Sequence, residues 1–140
     1  MDIYEATQAL LTEAAPGANV THILLQYDEQ MDQFSLPAFP AVTYLYSSLQ
    51  PLVNHDGGTS MNRVQLDVDV WGDLEDVSRY ADLINNAING QRVTVENVEF
   101  TVVATQDSRD IYELGMDFNH RALKYAGIVI IGEGKEDDSR

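Results

Sequence analysis

The sequence predicts an α+β domain in which a mostly antiparallel sheet carries two helices packed on one face. Three observations predict it. Residues 2–14 and 73–89 place apolar side chains at helical spacing. RVQLDVDVWGD, residues 63–73, alternates with a period of two: Val64, Leu66, Val68 and Val70 fall on one face, and Gln65, Asp67, Asp69 and Trp71 on the other. NHDGGTSMN, residues 54–62, is a glycine-bearing connection of hairpin type that leads into this strand and predicts an antiparallel pair with the strand before it.

The first helix is expected over residues 2–14. Asp2 can cap it, Glu5 stands three residues on as in a capping box, and Ile3, Thr7, Leu10, Leu11 and Ala14 keep helical spacing until Pro16 and Gly17 end it. A strand follows over 20–27. Residues 28–40 read as a loop, because Pro37 and Pro40 keep them out of a sheet interior. AVTYLYSSL, residues 41–49, resumes β character, with Val42, Tyr44 and Tyr46 sharing a face. Gly72 breaks the strand of residues 63–73, and Asp73 begins the clearest helix, with Glu75 in its first turn. Val77, Tyr80, Ala81, Ile84, Ala87 and Ile88 form the stripe of a helix lying on a sheet, and Asn89-Gly90 supplies a left-handed stop. Short strands are expected over 93–95, 99–105 and 111–116, and a long last one over 121–131. The expected organisation is a single domain over residues 1–132 and a flexible acidic tail over 133–140.

Composition narrows the function. The 140 residues fit one domain by size. No apolar run is long enough for a membrane span, and MDIYEATQALL lacks the basic segment of a secretory signal, so a soluble protein made in a cytoplasm is expected. The absence of cysteine from this sequence removes disulfides, thiolate zinc sites and cysteine nucleophiles. Eight basic residues against 23 acidic ones give a formal net charge of -15, a field that repels phosphate and disfavours gripping nucleic acid.

The candidate chemistry centres on Asp67 and Asp69. Their Cα atoms are expected about 6.6 to 7 Å apart on one strand face, where they can share a hydrated divalent cation. A hydrolytic metal site needs further ligands converging on an open position, and surface carboxylates are the default state of this residue type, so a solvated or interface face is preferred. His55-Asp56 invites comparison with HD-type metal hydrolases, whose ligands sit on helices, whereas this pair runs into Gly57-Gly58. No metal-ligand spacing links His22, His55 and His120, and there is no GxSxG or GxGxxG motif. No catalytic residue, cofactor or metal ligand is assigned. Trp71 either packs on its own helix or loop or stays exposed as a partner anchor. The tyrosines at 44, 46, 112 and 125 face the same choice, with core packing favoured.

FPAVTYLYSS, the His55-Asp56-Gly57 loop, RVQLDVDVWGD and the helix EDVSRYADLINNAING together resemble the tail terminator family of long-tailed bacteriophages, also called tail completion or tail-to-head joining proteins. DSRDIYELGMDFNHRALKYAGIVI is similar to the family's ending, with Arg121 and Tyr125 on the last strand. The chain departs from the family outline in its longer proline-bearing loop at 28–40 and its acidic tail.

The resemblance implies a structural protein without a reaction: a ring, expected to be a homo-hexamer, at the head-proximal end of the virion tail. It would cap the tail tube, end its polymerisation and present a surface for the head, after assembly in the host cytoplasm. Its partners would be other copies of itself, the tail tube protein and a head completion or connector protein, with DNA passing through unbound and no membrane involved. Asp67, Asp69, Trp71, His55, Asp56, Arg121 and Tyr125 are the expected subunit or tube contacts, and divalent cations screening Asp67 and Asp69 are expected to favour assembly. Other readings are a head-side connector or stopper protein, a metal-dependent hydrolase using Asp67, Asp69 and His55, and an acidic DNA mimic.

Overall fold

Asp2 opens the first helix as its N-cap. Its carboxylate accepts from the Glu5 amide at 2.8 Å, and the Glu5 side chain accepts from the Asp2 amide at 3.4 Å, which completes the expected capping box. The computed structural model describes residues 1–22, 26–28, 33–35, 38–54, 60–111 and 118–132. In chain order they form α1 (Ile3–Ala14), β1 (Asn19–Thr21), β2 (Gln26–Asp28), β3 (Gln33–Ser35), β4 (Ala41–Asn54), β5 (Ser60–Gly72), α2 (Leu74–Ile88), β6 (Arg92–Val95), β7 (Val98–Ile111) and β8 (Asn119–Ile131).

Six strands make one sheet in the order β1-β4-β5-β8-β7-β6, antiparallel throughout except for the parallel β1–β4 pair. The expected antiparallel pairing of β4 with β5 is present, from Ala41↔Trp71 to Asn54↔Ser60, while residues 55–59 of the connection between them lie outside the described residues. Two helices with a mostly antiparallel sheet make this an α+β protein. The expected acidic tail at 133–140 lies outside the described residues.

The alternation of β5 decides where the core sits. Val64, Leu66, Val68 and Val70 are buried, and across the ladder Tyr44, Leu123, Tyr125 and Val129 join them. Three buried or half-buried tyrosines of these strands spend their hydroxyls on helical residues. Tyr46 bonds Thr7 of α1 at 2.6 Å, Tyr44 reaches Gln8 of α1 at 2.9 Å, and Tyr125 donates to Asn85 of α2 at 3.1 Å. From α2, Tyr80 donates to the Pro16 carbonyl just beyond α1 at 2.8 Å. Asp73 caps α2 by accepting from the Asp76 amide at 2.8 Å, and Val77, Tyr80, Ala81, Ile84 and Ile88 are its buried stripe.

Three expectations are corrected. The strand expected over 20–27 is instead two short ones, β1 and β2, with residues 23–25 outside the description. The stretch read as a loop contains β3, paired with β2 from Gln26↔Ser35 to Asp28↔Gln33; the prolines that bar a sheet begin only at Pro37, beyond it. The strand expected over 99–105 is part of a longer β7 that runs from Val98 to Ile111, its polar TQDSRD segment held by pairing with β8; beyond Ile111, the strand expected over 111–116 lies outside the described residues.

Candidate interaction surface

The register of the sheet sorts the expected contact residues onto two faces. Opposite the core, successive cross-strand rows read Ala41–Trp71–His120, Thr43–Asp69–Ala122 and Leu45–Asp67–Lys124. Arg121 and Tyr125 point the other way, because their register partners are Val70 and Leu66 of the core face. The seven residues therefore do not form one cluster: Asp67, Asp69 and Trp71 share the outer face, Arg121 and Tyr125 the inner one, and His55 and Asp56 lie outside the described residues.

Trp71 is buried, at 5 % exposure. Its ring stacks on His120 with centroids 3.6 Å apart and planes 13° from parallel, and its indole N–H donates to Thr43 Oγ1 at 3.1 Å. Phe118 packs beside it, and Phe39 beside Phe118. His120 Nε2 lies 2.6 Å from Asp69 Oδ1, so this carboxylate braces the stacked ring from within the sheet face. The two aspartates thus have different surroundings. Asp69 is engaged by His120, whereas Asp67 Oδ1 is shielded from solvent and has no hydrogen-bond partner among the described residues.

On the inner face Arg121 Nε donates to Asp110 at 2.8 Å, an ion pair whose carboxylate is well exposed. Tyr125 is buried at 1 % exposure, and burial holds its hydroxyl above the ordinary tyrosine range. Tyr46 is pushed up by burial too, against the opposing effect of its bond to Thr7. Among the described residues no three His, Asp or Glu side chains converge as metal ligands.

Sequence reasoning missed two features. One is His120, stacked on Trp71 and held by Asp69, since a carboxylate partner 51 residues away in the chain leaves no local spacing to read. The other is a run of exposed leucines on β4, Leu45, Leu49 and Leu52, at 46, 40 and 38 % exposure. Its signal was present: residues 35–54 contain no charged side chain in a chain of net charge -15.

Among solved structures the chain is similar to one in a structure titled "Virion of native gene transfer agent (GTA) particle", with a TM-score of 0.51 and 12 % identity over 91 % of this chain and 90 % of that one. At that identity the likeness is one of fold. A search of curated proteins finds no match. The sequence itself matches the family described as Tail completion protein gp17 over residues 8–129. This chain belongs to that family and is a structural protein of the phage tail.

Proposed function

We propose that the chain assembles as a homo-hexameric ring that caps the head-proximal end of the tail tube, stops the tube's polymerisation and offers the surface on which the DNA-filled head is joined. Membership of the tail completion family carries this reading. Its partners are then further copies of itself, the tail tube protein and a head completion or connector protein, and assembly takes place in the host cytoplasm. Charge supports a passive relation to DNA: six copies at -15 each repel a duplex threading the ring rather than grip it.

In this reading both helices cover one face of the sheet, and the outer face meets the tube or a neighbouring subunit through Asp67 and Asp69. Trp71 and Tyr125 act from beneath the surface by holding the faces rigid, and His55, Asp56 and Arg121 are peripheral contacts. Sedimentation mass across protein concentration and divalent-ion level tests the proposal. A concentration-dependent hexamer is the expected result. A stable monomer at high concentration with metal-dependent hydrolysis would overturn it in favour of an enzyme using Asp67, Asp69 and His55.

A further inference from the structure

Among the described residues, both edges of the main sheet are largely unpaired. β1 covers β4 only at Ala41–Thr43, and no described strand lies against that edge from Tyr44 to Asn54. On the far side β6 covers β7 only at Val98–Thr101, the Val102 amide is taken by the Gln91 carbonyl, and the edge from there to Ile111 faces no described strand. Unpaired backbone edges of this length invite another strand, and proteins usually guard them with charges, lysines or a covering segment. β4 has no charged residue, and Pro51 is its one strand-breaking residue. It exposes Leu45, Leu49 and Leu52 instead. Where β1 stops, the exposed Tyr4 ring packs on His22 at 4.7 Å and on Tyr46 at 5.8 Å, so an aromatic cluster flanks the bare edge.

We infer that the bare edge of β4 is the contact between copies, and that its occupant is the β7 edge of a second copy, added in antiparallel register. This inference rests on the ring reading and names the surface that closes it. Three observations choose the occupant. The first is electrostatic. Two chains of net charge -15 repel, and the stretch from residue 35 to residue 54 is where one can approach the other without opposing like charges. The second is direction. β5, β8 and β7 follow β4 across the sheet with each neighbour reversed, so β7 runs opposite to β4. A copy placed side by side, head to tail, therefore brings an antiparallel strand to β4 and continues the ladder of the subunit. The third is shape. β1 caps the end of β4 whose row continues through Asp69–Trp71 and His120–Ala122 to Arg109–Ile111 of β7. β6 caps the other end of the other edge, so the two short strands sit at diagonally opposite corners. A stagger along the strand direction brings the bare length of β4 against the bare length of β7, with each cap clearing its neighbour. A contact of this head-to-tail kind generates a ring when its rotation closes.

The test uses the full-length chain. Leu45→Glu with Leu49→Glu places charge on the β4 edge at exposed positions, and Leu74→Glu, on the exposed start of α2, is the control. Circular dichroism and thermal melting confirm that each variant folds. The expected result is a wild-type ring, an unchanged control, and a β4 variant that needs at least a tenfold higher concentration to assemble. Because the chain has no cysteine, orientation is read directly from Gln50→Cys on β4, Ser108→Cys on β7 and their double variant, joined by a flexible bis-maleimide. Cross-linked ladders in the double variant alone support the β4–β7 pairing. Dimers from Gln50→Cys alone would mean two β4 edges meet, and would overturn it. A ring whose mass ignores the glutamates and whose double variant forms no ladder also overturns the pairing while leaving the ring intact. A wild-type chain that stays monomeric at every concentration removes the ring and the pairing together.

Discussion

At the scale of single residues, the outer face shows how a short sequence pattern acquires meaning from the strand beside it. Asp67 and Asp69 look equivalent in RVQLDVDVWGD, yet pairing with β8 puts His120 within 2.6 Å of one and leaves an oxygen of the other without a partner among the described residues. A buried acceptor without a hydrogen bond carries a desolvation cost, which a neighbour at an interface can relieve. The tyrosines of the inner face carry a pH dependence with a definite sign. Burial raises the hydroxyls of Tyr46 and Tyr125 above their ordinary value. The folded state then holds these protons more tightly than the unfolded chain does. Stability is full below the unfolded value of about 10 and falls as pH rises above it towards the raised folded values. Denaturant midpoints measured from about pH 8 upward are expected to decline from about pH 10.

At the scale of elements, β8 depends on a glycine. A Cβ on Gly127 would stand 2.4 Å from the Thr101 carbonyl oxygen of β7, beside the register shift between Val102 and Ala104. Gly127→Ala forces two backbones apart in the middle of the sheet, and we expect a loss of about 1–3 kcal/mol, measured by chemical denaturation. Leu74→Glu, already proposed as a control, is expected to show no comparable loss. The helices were legible in the sequence almost to the residue, because a capping aspartate and a 3.6-residue stripe are local signals: Asp2 and Asp73 cap where they were placed, and Val77, Tyr80, Ala81, Ile84 and Ile88 are the buried stripe. The strand RVQLDVDV was legible for the same reason. β7 was not, since a polar segment such as TQDSRD looks like a loop until a neighbouring strand holds it. Which residues oppose Asp67, Asp69 and Trp71 was not legible either. Register joins positions some fifty residues apart through pairing, and a one-residue slip would exchange the two faces. That is why Arg121 and Tyr125, grouped with the aspartates by resemblance, belong to the opposite face.

At the scale of the whole molecule, charge sets the conditions for the proposed assembly of copies. Chains at -15 each repel over distances comparable to the screening length, about 10 Å at 0.1 M salt, while β4, the strand proposed for the contact, carries no charge to gain from low salt. Assembly is therefore expected to strengthen as ionic strength rises from about 0.05 to about 0.5 M, read as a falling dissociation constant by sedimentation. Weakening over the same range would mean that ion pairs across the contact dominate. The diagonal placement of β1 and β6 has a geometric consequence under edge-to-edge pairing. Closing a sheet on itself links the tilt of its strands to their cumulative offset around the circumference. Each subunit carries a stop at one corner and its counterpart at the opposite corner, so sliding ends in the same place at every joint. The pitch and the hand of the closed wall are then written into one chain before any second chain arrives.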